Sequence, residues 1–265
     1  MSKLIQALDA VSTSMDSRIG FATQGSENLP VWDRFITLDG KKAHYLGNVC
    51  GTCEFIFERH EGANSKVSPE KLSEVFRSGI SDINAIKGAV MALLPAGAYK
   101  MLLLSCIPRL ITPSKAGDYF FQEQIELWGV DPFWGVPHYT RSEYYRTEVL
   151  KISEHGGLFE FIVPMFPGRY LDFKTIESYE TLLNSPSPTA LAISVLDVKQ
   201  PAEWEGNPEI QEHWCLAHYL LDGHHKMYAA AQFGKPISLL SCLAIDRGIS
   251  GADEISKVVS VLQNA

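Results

Sequence analysis

The chain has 265 residues, a formal net charge of −8, 46% hydrophobic and 20% charged residues, a balance typical of a globular protein with one large domain or two small ones. No apolar run approaches the roughly 20 residues of a membrane span, and no Lys/Arg cluster offers the basic face that nucleic acid needs; neither partner is expected. The first 20 residues lack the apolar core and small-residue cleavage site of a secretory signal, which points to a cytoplasmic protein.

Residues 1–30 are polar after the first turns and predict a short helix followed by a loop. Asp39-Gly40 lies between extended runs and predicts a two-residue hairpin turn, with the returning strand over Ala43–Leu46. Glu54–Arg59 continues as an extended run with Phe55 and Phe57 alternating. Ser68-Pro69-Glu70 has the residues of a helix start, with Leu72, Val75 and Phe76 as its apolar stripe and Gly79 as its end. A second helix is expected from Ser81 to Pro95, on Ile83, Ile86, Val90, Leu93 and Leu94. Tyr99–Ile107 reads as a buried strand.

Gly117–Arg146 is dense in aromatics and broken by Gly and Pro. It predicts an irregular segment pinned into the core, with a contact surface over 118–146 as the other reading. Strands follow at Phe159–Pro164 and Ala190–Leu196, with a capped helix over Asp172–Leu183 between them. After a polar loop, His218–Ile245 reads as strand, tight turn, helix and strand, and Ser250–Leu262 as a last helix.

The turn in that region is the main functional candidate. Asp222-Gly223-His224-His225-Lys226 places an acid, a glycine, two imidazoles and an amine where a helix begins. A helix N-terminus presents backbone N–H groups and partial positive charge, and glycine lets a phosphate approach closely. Asp222 can hold a metal or orient a hydroxyl; His224, His225 and Lys226 can add donors. Asp-Gly is also ordinary turn chemistry, so a plain turn stays open.

The segment resembles the ParB/sulfiredoxin-like superfamily, whose members carry a D-G-H-H-R type motif between strand and helix. The nearest form is that of the ParB-like free-serine kinases. Here the motif stands as Asp222–Lys226, followed by Ala229-Ala230-Ala231 and Gly234, with lysine in place of the arginine. Lysine keeps the charge but not the planar two-pronged grip. The resemblance implies an α/β (α+β) protein with a ParB/sulfiredoxin-like domain in 151–265, packed on an N-terminal α+β region in 1–150. It implies phosphates of ATP or another NTP, with Mg2+, on Gly223, His224, His225 and Lys226, and Asp222, His224 and His225 as catalytic residues. The kinases' catalytic glutamate has no counterpart in Val163–Arg169, so serine kinase activity itself is not carried over. Arg169 is left to bind an anionic second substrate or a phosphate, and Asp197 is a second candidate for holding the metal or orienting the acceptor.

Five cysteines and no secretion signal suggest reduced thiols, with Cys106 and Cys242 as small buried hydrophobes. Cys50-Gly51-Thr52-Cys53 has C-x-x-C spacing, and His44 and His60 flank it. Zn2+ binding, redox chemistry and two structural thiols are all open readings. His213 and His218 lie close in sequence to His224 and His225, a pattern that also admits a metal site.

The leading expectation is a nucleotide-dependent small-molecule enzyme, a phosphotransferase, with a nucleotide and a small-molecule substrate as partners and a homo-oligomer left open. The others are a non-catalytic nucleotide-sensing or protein-interaction module, and a zinc protein built on the C-x-x-C turn.

Overall fold

The structure, a computed structural model, describes residues 2–64, 67, 72–133, 135–183, 187–203 and 208–265. The strands are β1 Lys3–Ser12, β2 Ile19–Gln24, β3 Asp33–Leu38, β4 Lys41–Asn48, β5 Glu58–Arg59, β6 Gly97–Cys106, β7 Arg109–Ile111, β8 Tyr144–Arg146, β9 Leu150–Lys151, β10 Gly156–Val163, β11 Thr189–Lys199, β12 Glu212–Asp222 and β13 Ile237–Ala244. The helices are α1 Ser73–Ser78, α2 Lys87–Met91, α3 Glu123–Trp128, α4 Phe173–Leu182, α5 His224–Phe233 and α6 Ala252–Asn264. The class is α+β, as expected.

Among the described residues there are two sheets. The larger runs β1-β6-β13-β11-β12-β10-β8-β7, with β9 added beside β10; the smaller runs β2-β3-β4-β5. In the larger sheet β10 is parallel to β12, β11 is parallel to β13, and β11 is antiparallel to β12. β10 and β13 are buried along their whole length, the mark of strands covered on both faces. The expected division at 150/151 does not separate two sheets, because β6 pairs with β13 and β8 pairs with β10.

The larger sheet is rolled. β6 is second in the pairing order and β7 is last, yet only Ile107 and Pro108 join them. Three Cα steps reach about 11 Å at most, so the far edge must curl back to β6. Consistent with this, the Ser2 side chain reaches both Glu160 on β10 and Cys106 on β6.

On one face, Phe159 and Phe161 join Phe55, Phe57, Tyr119, Phe120 and Tyr144 in an aromatic cluster with edge-on and tilted contacts. That bears out the pinned reading at the two ends of Gly117–Arg146, while its middle folds as α3 and Phe133 is exposed. It also removes Tyr119, Phe120, Tyr144 and Tyr145 from any contact surface, since all four are buried. On the other face His218 Nδ1 is 2.8 Å from Ser194 Oγ and 3.1 Å from Ser241 Oγ. Its Nε2 is 3.5 Å from Glu160, whose carboxylate accepts from Thr147.

The hairpin at Asp39-Gly40 forms as expected, with positive φ at both residues. Asp172 caps α4, accepting from Lys174 N and Thr175 N. Three expectations fail. Residues 3–12 form β1, paired with β6, instead of a helix. Glu54–Arg59 is strand only at Glu58–Arg59. The helix from Ser81 shrinks to α2, and Asp82 instead accepts from Asn84 N. The start at Ser68-Pro69-Glu70 lies outside the described residues; downstream, Leu72 and Phe76 are buried while Val75 is exposed. No described helix is long and apolar enough to cross a membrane.

Candidate functional site

β10 and β12 run parallel and end together, and the turn Asp222–Lys226 lies at that end. Gly223 joins β12 to α5 with φ of +93°. A Cβ there would stand 2.7 Å from Ala190 Cβ, so both backbone strain and space demand glycine. α4 and α5 pack against each other beside the turn.

A cavity of about 190 Å³ opens at the start of α5, and all five residues from Asp222 to Lys226 line it, with Met165, Phe166 and Tyr179. The structure therefore brings the turn residues to one place. It changes the roles expected for three of them. Lys226 is buried, and its ammonium donates to Thr189 O at 3.0 Å and to Asp222 Oδ2 at 3.1 Å. Burial holds its pKa below the ordinary lysine value, with the Asp222 charge acting the other way. The lysine thus ties the end of β12 to the start of β11 and is not a free phosphate clamp.

His224 Nε2 accepts from Met165 N at 3.0 Å, and His225 Nε2 accepts from Asp172 N at 2.9 Å. A ring nitrogen that accepts a backbone N–H carries no proton, so both imidazoles are neutral. They anchor the segment after β10 to the head of α5. The His224 ring also stacks on Phe166, with centroids 4.1 Å apart. Asp222 is the one carboxylate lining this cavity, with a side chain 28% exposed.

The remaining candidates do not join it. Asp197 is buried in a pair with Arg34 at 2.6 Å and also accepts from Ile249 N. It lies six residues along β11 from Leu191, the partner of Asp222, or about 20 Å at strand rise. Its predicted ligand role is corrected to a structural one. Arg169 is exposed, 5.1 Å from the Tyr170 ring, and does not line the cavity at the turn.

Cys50 and Cys53 form a disulfide, correcting the expectation of reduced thiols for this pair and leaving no thiolates for Zn2+. Cys106, Cys215 and Cys242 are free and buried, the first and last as expected. His44 is fully buried against Tyr219, and burial first, then the charge of Arg59, lowers its pKa to about 3. His60 lies against Phe35. Among the described residues no three His, Cys, Asp or Glu side chains form a metal-holding group. His213 and His218 point to opposite faces: His213 Nδ1 meets the Tyr119 hydroxyl at 2.8 Å, while His218 meets the two serines.

A second cavity of about 150 Å³ shares Phe166 and His224 with the first. Arg59, Arg141 and Glu143 line it. Sequence reasoning did not single out these residues: they come from segments distant from the turn and belong to no motif.

No protein-family model matches the chain, and no curated protein or solved structure matches it.

Proposed function

We propose that the chain is a nucleotide-dependent small-molecule enzyme, a phosphotransferase, that takes the phosphates of an NTP at Asp222–Lys226. The observation that carries this reading is the cavity lined by the whole turn at the N-terminus of α5. The first turn of a helix directs its N–H groups and positive dipole end outward, which favours a phosphate. With Lys226 engaged by internal acceptors and both histidines neutral, recognition falls to that helix end. A cavity of about 190 Å³ is below the range of roughly 300–1,000 Å³ that encloses a drug-sized ligand. The phosphate chain enters it and the nucleoside lies along the mouth, beside Tyr179.

The residues fit a magnesium ion in one way. Mg2+ is commonly held by one or two carboxylates together with substrate phosphates, and Asp222 is the carboxylate at hand. The ion would neutralise phosphate charge there. Asp222 would hold it in place of its contact with Lys226.

The test is a thermal-shift series on the wild type and Asp222→Asn with ATP, CTP, GTP and ADP, with and without Mg2+. A ligand that binds only the native state raises the melting temperature by mass action. A nucleotide-specific, Mg2+-dependent rise, reduced in the variant, is expected. No rise with any nucleotide at millimolar concentration would overturn the proposal. Binding without nucleotide turnover across small hydroxyl compounds would reduce it to nucleotide sensing.

A further inference from the structure

Beyond the Phe166–His224 stack, the second cavity is lined by Arg59, Arg141, Glu143, Tyr145, His224 and Tyr228. Arg59 closes β5, Arg141 and Glu143 precede β8, and Tyr228 comes from α5. These three parts of the chain converge on a half-enclosed space with Phe166 from the segment after β10. Arg169 stands beside them: burial first, then the charge of Arg169, holds the Arg59 guanidinium below its ordinary pKa. None of these three guanidinium groups enters an ion pair with a described residue. Elsewhere Arg18 pairs with Asp39, Arg34 with Asp197 and Arg146 with Glu123.

Two guanidinium groups and one carboxylate line the cavity, and the charge of Arg169 is felt at Arg59, which leaves the site net positive. The partly buried Arg59 guanidinium is disfavoured by desolvation and by the like charge of Arg169, and a bound anion reverses that cost. Guanidinium is the side chain whose planar fork matches two oxygens of a carboxylate or phosphate. The volume of about 150 Å³ is the liquid volume of about five water molecules, which suits a phosphate ion or a short-chain carboxylic acid.

We infer that this cavity binds a small anionic molecule, whose carboxylate or phosphate oxygens sit on Arg59 and Arg141 and whose hydrogen-bond-donating end faces Glu143. As an acceptor site the inference rests on the nucleotide reading, because His224 is the shared wall between this cavity and the turn; as an anion site it stands alone. Arg169, whose charge reaches Arg59, adds long-range attraction.

Isothermal titration with inorganic phosphate, and separately with lactate, decides it. The proteins are the wild type, Arg59→Gln, Arg141→Gln and Arg109→Gln. Saturable binding of at least one probe is expected in the wild type, and the tighter probe names the class. Each of Arg59→Gln and Arg141→Gln weakens it by about tenfold or more, the loss typical of a hydrogen bond to a charged group. Arg109→Gln, an exposed arginine that does not line the cavity, leaves it unchanged. Equal binding in Arg59→Gln, Arg141→Gln and wild type, or no saturable heat with either probe, overturns the inference. Arg141 is exposed, so its variant carries the test even where Arg59→Gln does not fold. Saturable anion binding by a wild type that binds no nucleotide would sink the nucleotide reading and leave this one standing.

Discussion

Two groups of arginines show how this molecule separates structural charge from charge kept for a ligand. Arg34 is 8% exposed and makes two bonds to Asp197, at 2.6 and 2.9 Å, and others to Leu46 O and Arg247 O. Its charge is answered from within, and it joins the small sheet to β11. Arg59 and Arg141 line the second cavity together with Glu143, whose charge reaches Arg59, yet neither they nor Arg169 forms an ion pair with a described residue. A buried ion is tolerated when it is paired and hydrogen-bonded. Ions without a paired partner persist where solvent or a ligand reaches them.

The largest effect that would break this comparison is Asp197→Ala. It strands a buried guanidinium and is expected to cost about 3–5 kcal/mol, read by urea unfolding, whereas Arg141→Gln should stay within about 0.5 kcal/mol. Similar costs for the two would erase the distinction.

A second effect comes from histidines held neutral in the core. Burial lowers His44 and His213 to a pKa of about 3. The unfolded chain binds their protons near the ordinary value of about 6.5, so stability falls as pH drops from there toward 3, by about 1.4 kcal/mol per pH unit per histidine. For Glu160, burial acts to raise the pKa, but His218 and Thr147 outweigh it and the net shift is downward. Its contribution is therefore lost only at still lower pH, below the ordinary carboxylate range. His44→Leu should lower the slope between pH 6.5 and 5, measured by chemical denaturation at each pH. An unchanged slope would mean that His44 is not kept neutral.

The smallest effect tests Lys226. Lys226→Met removes the link to Asp222 and Thr189 O and should cost about 1–2 kcal/mol, with nucleotide binding weakened less than in Asp222→Asn. Full loss of nucleotide binding with an unshifted melting temperature would make Lys226 a ligand group after all.

Several features were legible in the residues. Asp39-Gly40 permits positive φ at both turn positions, so the hairpin was readable. The order strand, helix, strand, strand, turn, helix, strand over Phe159–Ile245 was also readable, because apolar runs and punctuation alternate clearly there. β1 was misread because Leu4 and Leu8 are spaced four apart, like one face of a helix. As a strand the same residues alternate with exposed neighbours, and Gln6 between them donates to Asp82 and accepts from Ile83 N. The turn's residues were legible as a site, but the directions of its side chains were not. Lys226 turns back to a carbonyl 37 positions away, and His224 meets Met165 59 positions away.

By itself the sequence determined the α+β class, the hairpin, the glycine-dependent turn and the cluster of polar groups at the head of α5, because each depends on local φ/ψ preference and spacing. Only the tertiary structure decided that β6 and β7 roll the sheet, that Asp197 belongs to Arg34, that Cys50 and Cys53 join, and that Arg59 and Arg141 share a cavity. Those outcomes depend on distances between remote segments, which are set when strands pair and bury their faces and which no local pattern encodes.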